Sequence, residues 1–536
     1  MKSKYGRLSV VAVFLAVVCV YWYVSADGKR DKDIPAASGP DATGGNEKQP
    51  LTEPVQLLNW WQQRLEAAAS AGDYEVAGDY ATRKASYYRS IGNEAEAAAW
   101  YETSASHWAK AKAVDRRFYD DVPPSAHEVT IEPYVSVPAG ADNRKLAKFE
   151  PSSGTYLGLF GLFDWPAVEP EFGQYHPIGL TYSGWRKDES DTRNYFPVRF
   201  MNSIKSTASG ALQIGWEPHY GLDSVKDDDY ARSFARQAKE AGIPIFMRYA
   251  SEMNGAWVPW YDEPAKYIEK FRLMSKVMKE EAPNVAMVWS PNFWPHDNID
   301  DYYPGDEYVD WVGFSLYATP FFGENEDFSK NQIDYFAPLY EKYAHKPIMI
   351  SEGGVTHYIR KTGKDYAKWG ESQLANMYAY LPRMFPQVKA ITYFNIAKSR
   401  SETLNADYIY DIRENTLMYD LYRRQVQSDY YLTQVEQGAA TEDNVKYVPL
   451  RSAQAESLTG KRKLFVYVKM PMEVQPFAVA VLQGDRRLAI SYEVPWEVEL
   501  DFSTLQAAEP LTVAVYNSKH EEVARQPFEW STANLK

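Results

Sequence analysis

The stretch Ile243-Pro-Ile-Phe-Met-Arg-Tyr-Ala-Ser-Glu252 decides the fold of this chain, because a short apolar run is followed closely by a carboxylate. The stretch Pro347-Ile-Met-Ile-Ser-Glu352 repeats the pattern farther along the chain. Each apolar run has the length and the branched side chains of a buried β-strand. Carboxylates at the carboxyl ends of parallel strands are typical of β/α barrels, whose functional residues lie there. The two stretches therefore predict a parallel α/β fold.

Eight short apolar runs follow one another in this part of the chain, and helix-like stretches separate most of them. The predicted strands are Tyr156–Phe160, Ile178–Tyr182, Leu212–Trp216, Ile243–Met247, Val285–Trp289, Trp311–Ser315, Pro347–Ile350 and Ala390–Phe394. Alternating strands and helices over roughly 250 residues are the rhythm of a (β/α)8 TIM barrel. The alternative is an open doubly wound sheet, but no Gly-rich phosphate loop follows any of these strands. We therefore predict a (β/α)8 TIM barrel over residues 149–428.

Glu252 and Glu352 follow the fourth and seventh predicted strands, which lie across the mouth of such a barrel from each other. Their separation, 352 minus 252 or 100 residues, equals three strand–helix units of about 33 residues. Two opposed carboxyl groups are what cleavage of a glycosidic bond requires. In a retaining enzyme they lie about 5 to 5.5 Å apart, so that one protonates the leaving oxygen and the other attacks the anomeric carbon.

The neighbours of the two glutamates suggest separate roles for them. Glu252 is the better acid/base, because apolar surroundings that include Trp257 and Trp260 would raise its pKa toward neutrality. Glu352 is followed by two glycines at 353 and 354, which we expect to leave room for the sugar, and it suits the nucleophile.

Four motifs resemble glycoside hydrolase family 26, whose typical members are β-mannanases. They are Ile243-Pro-Ile-Phe-Met-Arg248 with Glu252-Met-Asn-Gly255, Trp257 and Trp260; Val288-Trp-Ser-Pro-Asn292; Tyr302-Tyr-Pro-Gly-Asp306 with Val309-Asp-Trp-Val-Gly313; and Lys346-Pro-Ile-Met-Ile-Ser-Glu352. The resemblance covers residues from roughly 150 to 425. It implies a retaining barrel enzyme with Glu252 as acid/base and Glu352 as nucleophile.

Ser251 departs from the family pattern, in which typical mannanases carry a sugar-binding histidine immediately before the acid/base. The family also contains members that act on mixed-linkage glucan and on β-1,3-xylan, so the sugar stays open. We predict an exported, retaining, endo-type glycoside hydrolase that cleaves β-mannan or a related β-glycan. The alternative is a non-catalytic, membrane-anchored polysaccharide-binding or matrix protein that uses the barrel cleft.

Further side chains near the predicted strand ends are candidates for substrate binding, although each could equally be barrel core. Tryptophans are candidate stacking platforms, Arg248 and Asn292 could orient carboxylates or sugar hydroxyls, and the resemblance implies that Tyr317 hydrogen-bonds the nucleophile. Glu217, which ends the third strand, could contact substrate or form a structural ion pair. The substrate-binding candidates are Arg248, Asn254, Trp257, Trp260, Trp289, Asn292, Tyr317 and Tyr393.

Composition excludes several partners and agrees with a sugar ligand. The net charge of -14 disfavours nucleic acid. The histidines are dispersed, without a His-Glu-x-x-His motif, and no Gly-x-Ser-x-Gly motif occurs, so we expect no metal and no cofactor. Aromatic residues form 15% of the chain, more than core packing needs and compatible with stacking on sugar rings. We expect a monomer with a polysaccharide substrate.

The N-terminal residues predict export. Three basic residues precede an apolar run from Leu8 to Val24, so residues 1–26 are a signal peptide or a signal-anchor. Val24-Ser-Ala26 fits a cleavage site, whereas the length of the run and its Tyr21-Trp-Tyr23 belt favour the anchor. We therefore expect the protein to be secreted or held at the extracellular face of the membrane. Residues 27–51 read as a flexible tether.

Two smaller segments flank the predicted barrel. Residues 52–115 carry apolar side chains at helical spacing and resemble a tetratricopeptide-like hairpin, which we interpret as a spacer or a cap rather than a peptide-binding module. Residues 116–148 read as a Pro-containing linker. Residues 445–536 alternate as in a small β-sandwich, which we interpret as a structural appendage. The alternative for the sandwich is a carbohydrate-binding module that uses Tyr492 and Trp496.

Overall fold

The computed structural model describes residues 54–111, 128–139, 144–322, 325–360, 362–396, 408–453 and 458–530. The predicted leader and tether, residues 1–51, lie outside these ranges. Within them, no helix combines the length and the apolar character that a membrane span requires.

Helices and strands alternate through most of the described chain. The α-helices are α1 Pro54–Ala71, α2 Tyr74–Ser90, α3 Glu94–Trp108, α4 Val168–Phe172, α5 Val198–Lys205, α6 Asp229–Ala241, α7 Pro264–Glu281, α8 Gln332–Tyr343, α9 Ala367–Ala375, α10 Leu381–Met384 and α11 Thr416–Val426. The strands are β1 Thr130–Pro138, β2 Thr155–Phe160, β3 Ile178–Gly184, β4 Ala211–Glu217, β5 Ile245–Tyr249, β6 Val285–Trp289, β7 Trp311–Ala318, β8 Phe321–Phe322, β9 Asn325–Glu326, β10 Ile348–Val355, β11 Tyr358–Ile359, β12 Lys364–Asp365, β13 Val388–Phe394, β14 Tyr408–Ile409, β15 Tyr431–Leu432, β16 Val445–Pro449, β17 Lys461–Lys469, β18 Ala478–Gln483, β19 Arg486–Ser491, β20 Val498–Asp501, β21 Leu511–Tyr516 and β22 Glu522–Phe528.

The core of the molecule is a closed barrel of eight parallel strands, which confirms the predicted fold. The strands follow chain order, β2 to β7 and then β10 and β13, and β13 pairs with β2 to close the sheet. Most of these strands are buried along their whole length, as expected when helices cover the outside and side chains fill the inside. Because all eight run in parallel, their carboxyl ends meet at one mouth.

The helices around the barrel begin and end where local sequence signals place them. Asp228 caps α6 by accepting from the amide of Ala231, and Gly242 ends the helix in the left-handed conformation. Pro264 opens α7, where its missing N–H costs nothing. Both helices lay an apolar face on the sheet.

The helical segment α1 to α3 packs between the barrel and the C-terminal domain. Trp61 is fully buried against Phe477 of the C-terminal domain and shares an apolar cluster with Leu417 of α11. Arg64 forms an ion pair with Asp420 of α11, whose carboxylate also accepts from the hydroxyl of Tyr80 at 2.8 Å. These contacts make the segment a cap on two neighbours, which is one of the two roles expected for it.

The C-terminal domain consists of two four-stranded antiparallel sheets, in the orders β16-β1-β17-β20 and β19-β18-β21-β22. Strand β1 comes from before the barrel and lies between β16 and β17. The expectation that residues 116–148 form only a linker is therefore wrong for residues 130–138. Proline is disfavoured inside a sheet, but Pro133 is tolerated here. The pairing with β16 begins only at Tyr134, so Pro133 has a strand neighbour on one side only, β17.

The two aromatic residues considered for sugar binding in the sandwich are taken up by internal contacts. The Trp496 indole is 3% exposed and donates to the Tyr380 hydroxyl of the barrel at 2.7 Å. Tyr492 packs on Tyr87 of the helical segment, and its hydroxyl lies 3.0 Å from that of Ser90. The burial of Trp496 and the packing of Tyr492 on Tyr87 favour the structural role over the carbohydrate-binding one.

Candidate active site

Glu352 lies within strand β10 rather than after it, and a β-bulge sets its direction. Ile350 pairs with Phe314 of β7 while Glu352 pairs with Ser315, so Ser351 is an inserted residue. Ile350 and Phe314 both belong to the layer between the sheet and the helices. Without the bulge, Glu352 would share that outward face, because side chains alternate along a strand. The inserted residue instead turns Glu352 into the barrel mouth.

The Glu352 carboxylate accepts from three donors on three different strands. Arg248 of β5 donates to Oε2 at 2.8 Å as an ion pair, and the Tyr182 hydroxyl of β3 donates to the same oxygen. The Tyr317 hydroxyl of β7 donates to Oε1, as the family resemblance implies. Charge-assisted bonds of this kind fix the orientation of a carboxylate and stabilise its ionised form.

Arg248 is fully buried and reaches two serines beside its ion pair. Its Nε donates to Ser290 Oγ at 3.2 Å and its Nη2 to Ser315 Oγ at 3.3 Å. Burial acts to lower the pKa of Arg248, but the charge of Glu352 raises it overall. The Arg248 guanidinium is therefore a permanent positive charge beside Glu352, and it does not contact solvent.

Glu252 lies in a tight loop directly after β5. Ala250 and Glu252 both have positive φ, 47° and 57°, a conformation that non-glycine residues rarely adopt. The loop is held by neighbouring strands, since the amide of Ala250 donates to Trp216 O at 3.1 Å and the amide of Glu252 to Ser290 O at 2.8 Å. The surrounding barrel thus imposes a backbone that points this carboxyl into the mouth.

The Glu252 carboxyl accepts hydrogen bonds from three neutral donors, one of which is the Ser315 hydroxyl. The Trp257 indole donates to Oε2 at 2.7 Å and the Asn292 amide to Oε1 at 2.9 Å. Burial, followed by the nearby charge of Glu352, raises the pKa of Glu252, and these hydrogen bonds only partly oppose the rise. The direction agrees with the apolar surroundings expected from the sequence.

Four of the candidate substrate residues support the barrel instead of facing the mouth, which corrects the sequence interpretation. Trp260 and Trp289 are fully buried, with their indoles donating to the backbone oxygens of Ser251 and Tyr302. Asn254 and Tyr393, which were also expected to bind substrate, are fully buried as well. Tyr393 bonds the backbone of Val355 on strand β10, and Asn254 donates to Asn292 O and Pro295 O.

Asn254 nevertheless acts on the site through its neighbour. The side-chain oxygen of Asn254 accepts from the backbone N–H of Asn292 at 2.9 Å. This bond fixes the loop from which the side chain of Asn292 reaches Glu252. The candidates that the structure does bring to the two carboxyl groups are Arg248, Trp257, Asn292 and Tyr317.

The glycines that follow Glu352 serve packing rather than sugar access. A Cβ at Gly353 would lie 2.8 Å from Leu316 O on strand β7, and one at Gly354 would lie 2.8 Å from the Tyr410 ring. Both contacts are too short for real side chains, so these positions let β10 approach its neighbours. The expectation that the glycines leave room for a sugar is corrected accordingly.

Sequence reasoning missed Tyr182 and understated Ser251. Tyr182 is the last residue of the predicted second strand, so its place at a strand end was the available signal. Ser251 donates through Oγ to Glu217 Oε1 at 2.7 Å, and Glu217 closes strand β4 at the same mouth. In the described part of the chain, no cation lies within 4.0 Å of the Glu217 carboxylate. The ion pair that was one of the two alternatives for Glu217 is therefore not found among these residues.

Two exposed aromatic side chains stand on the loops that flank Glu252. Tyr220 follows β4 and is 46% exposed, whereas Trp294 follows β6 and is 41% exposed. Large side chains this exposed are uncommon in the described part of the chain, and these two are its exposed large aromatics.

Among the described residues, no cluster of three or more His, Cys, Asp or Glu has the arrangement of a metal site.

Residues 226–352 match the model of glycosyl hydrolase family 26. This segment contains the loop of Glu252 and ends at Glu352 itself. Endoglucanase H of Acetivibrio thermocellus is 27% identical over 248 residues, which are 42% of this chain and 25% of that protein. Beta-1,3-xylanase TXYA of a Vibrio species is 26% identical over 158 residues, 28% of this chain and 32% of that protein.

A mannan endo-1,4-beta-mannosidase of Bacillus subtilis is 32% identical over 94 residues, 16% of this chain and 26% of that protein. The matches therefore span about a quarter to a third of the length of these curated relatives. The segment that matches the family model, residues 226–352, lies within the barrel and holds both glutamates.

Proposed function

We propose that this protein is a retaining, endo-acting glycoside hydrolase that cleaves β-mannan or a related β-linked polysaccharide. The observation that carries the proposal is the contrast between the two carboxyl groups at the mouth. Glu352 is ion-paired with a buried guanidinium and accepts from two phenols, whereas Glu252 accepts only from neutral donors and has a raised pKa. Environments that separate two carboxyls in this way assign one as acid and the other as anion.

The chemistry follows from these two protonation states. Protonated Glu252 donates its proton to the glycosidic oxygen while ionised Glu352 attacks the anomeric carbon, so the C–O bond to the leaving sugar breaks and a glycosyl ester forms. Glu252, now ionised, then removes a proton from water, whose oxygen displaces the ester and regenerates Glu352. Arg248 and the two phenols orient the attacking carboxylate and take up the charge that returns to it.

An extended polymer is supported by the exposed rings beside the acid/base. Tyr220 and Trp294 lie on the loops that follow β4 and β6, on either side of the strand whose loop carries Glu252. Exposed aromatic faces stack on sugar rings without strict geometry. The relatives are named for glucan, xylan and mannan hydrolysis, so their names support a β-glycanase without selecting one sugar.

The test is sugar release from galactomannan, mixed-linkage β-glucan, β-1,3-xylan and the exopolysaccharide of the source organism. We expect new reducing ends and a rapid fall in viscosity from at least one polymer, with the β-anomer formed first in proton NMR. Glu352→Gln is expected to abolish release, while Glu269→Gln, which changes an exposed glutamate on α7, leaves it unchanged. Binding without release by both wild type and Glu352→Gln would instead favour the non-catalytic polysaccharide-binding alternative.

We also propose that the protein acts outside the cytoplasm as a monomer. Export is supported by the basic residues and the apolar run within residues 1–26. Protease treatment of intact cells is expected to degrade the full chain and to spare a version that lacks residues 1–26. Light scattering of residues 52–536 is expected to give the mass of one chain.

A further inference from the structure

A third carboxyl group, that of Glu217, lies at the barrel mouth beside the two glutamates already described. It closes β4, so it shares the mouth with the ends of β5 and β10. Its Oε1 accepts from Ser251 Oγ at 2.7 Å, and Ser251 is the residue immediately before Glu252. Its Oε2 is buried and has no hydrogen-bond partner among the described residues.

Glu217 lies between the two halves of the candidate site. Through Ser251 it contacts the loop of the acid/base. A Cβ built on Gly215 would lie 3.3 Å from Glu217 Oε1 and 2.6 Å from the ring of Tyr182, so carboxyl and ring border the same small space. The hydroxyl of Tyr182 in turn donates to Glu352. One carboxyl is therefore adjacent to both reacting groups.

The depth of Glu217 matches that of the other residues that line the mouth. Its exposed fraction is 2%, compared with 3% for Glu252, 5% for Ser251 and 7% for Glu352. An unpaired carboxyl oxygen at this depth is unfavourable unless a ligand supplies the missing bond, because buried polar groups in folded proteins are nearly always hydrogen-bonded. A sugar that reaches Glu252 and Glu352 brings several hydroxyl groups to the same place.

We propose that Glu217 is a substrate-binding residue whose Oε2 hydrogen-bonds a hydroxyl group of the sugar at the cleavage point, while Ser251 holds its Oε1. This inference rests on the proposed function of the site. The inference also gives Ser251 a role in this chain. Its short side chain hydrogen-bonds Glu217, so the carboxyl of Glu217 is the group that contacts the sugar.

The protonation state decides which bond Glu217 makes. Burial raises the pKa of Glu217 to about 8, opposed by the Ser251 hydrogen bond and supported by the neighbouring carboxylates. At neutral pH it is therefore a carboxylic acid, whose Oε2–H donates to a sugar oxygen. The charged or titratable groups around it are Tyr182, Arg248, Tyr249, Glu252, Tyr267 and Glu352.

The test measures binding of mannohexaose, cellohexaose and β-1,3-xylohexaose by calorimetry in the Glu352→Gln background, where no sugar is consumed. Adding Glu217→Ala is expected to weaken the tightest of the three complexes about tenfold, since one hydrogen bond is lost. Adding Glu217→Gln is expected to keep the affinity within about threefold at pH 6, since an amide also donates from one atom and accepts at the other. Thermal unfolding checks that each variant is folded.

A pH series keeps the proposal testable even if Glu217→Ala does not fold. With Glu217 present, affinity is expected to fall as pH rises through the pKa of Glu217, because ionisation removes the donor. In the Glu352→Gln background this pKa is expected below about 8, since one of the charges that raise it is gone. The Glu217→Gln protein keeps Glu252 and every other neighbour, so its affinity is expected to lack this additional fall.

Three results would overturn the role of Glu217: equal affinity of the alanine variant and its parent, the same pH profile with and without the glutamate, or binding of none of the three sugars. These differ from failure of the proposed function, which is the absence of sugar release by the wild type.

Discussion

The loop that carries Glu252 and the bulged strand that carries Glu352 reach the same barrel mouth by different structural means. Glu252 depends on a loop with two residues at positive φ, pinned by backbone bonds to neighbouring strands. Glu352 lies in a regular strand until Ser351 is inserted and turns it inward. One carboxyl is thus positioned by loop conformation and the other by a change of register.

The difference teaches that strand-end position alone does not give a carboxyl its role. Both glutamates are more than nine-tenths buried, yet only Glu352 has a guanidinium within ion-pair distance. Its three donors hold the carboxylate in one orientation, whereas burial and the charge of Glu352 favour the protonated form of Glu252. The neighbours of each carboxyl, taken from other strands, separate the acid from the nucleophile.

The largest expected effect comes from exchanging each glutamate for glutamine and comparing two substrates. Glu352→Gln removes the nucleophile, and we expect kcat to fall at least about 10⁴-fold on every substrate. Glu252→Gln removes the general acid, and we expect a loss of about 10² to 10⁴-fold on a polysaccharide. On a nitrophenyl glycoside, whose leaving group needs no proton, formation of the glycosyl ester is expected to be nearly normal in Glu252→Gln. Equal losses for both variants on both substrates would contradict separate roles.

Removing the guanidinium is expected to affect stability as well as activity. In Arg248→Met the Glu352 carboxylate keeps its burial but loses its ion-pair partner, which costs about 3 to 5 kcal/mol in the free energy of unfolding. We also expect kcat to fall, because Glu352 loses a donor that orients it and takes up the charge that returns to it. Urea unfolding and steady-state kinetics measure both effects.

Arg232→Met is the matched control for the loss of an arginine. Arg232 pairs with Asp227, Glu280 and Glu281, but on the solvent-exposed side of α6 and α7. Ion pairs in water contribute little, so we expect a much smaller change in stability and none in kcat. If Arg232→Met were as destabilising as Arg248→Met, burial of the ion pair would not be what matters.

The two phenols allow a finer comparison around Glu352. Tyr182→Phe and Tyr317→Phe each remove one hydrogen-bond donor and keep the ring, so we expect kcat to fall about tenfold in each. Stopped-flow or steady-state assays on the preferred polymer measure the change. Unchanged kcat in both variants would mean that Arg248 alone orients the nucleophile.

The smallest expected effect concerns the acid. The Trp257 indole donates to Glu252 and thereby lowers the pKa of Glu252, against the dominant influence of burial. Trp257→Phe removes that bond, so the pKa is expected to rise and the alkaline limb of kcat/KM to move to higher pH. A pH–rate profile measures the shift, and movement to lower pH would contradict the assignment of Glu252 as the acid.

Periodicity was sufficient to predict the barrel, because each strand is a short apolar run and each connection has room for a helix. All eight predicted strands overlap strands of the structure, and β6 has the predicted bounds. Strand β1 could not be predicted, since its partners β16 and β17 lie about 300 residues farther along the chain and Pro133 hides its pattern. Pairings that distant leave no local signal.

The candidate site was only partly predictable for a similar reason. Both glutamates stood out because they follow apolar runs, but the bulge at Ser351 leaves no mark in the sequence, where the strand was expected to end at Ile350. Tryptophan is abundant both in barrel cores and at sugar-binding sites. The sequence alone therefore could not distinguish the buried Trp260 and Trp289 from Trp257, which contacts Glu252. Tyr182 ends a predicted strand, but its role could be recognised only from its contact with Glu352.

The most direct test of the separation of roles is the titration of the Glu252 carboxyl by carbon NMR, assigned by comparison with Glu252→Gln. We predict that Glu252 titrates above the ordinary value of 4.5, and that its pKa falls when Glu352→Gln removes the neighbouring charge. A Glu252 that titrates at or below 4.5, or whose pKa does not respond to Glu352→Gln, would contradict the account.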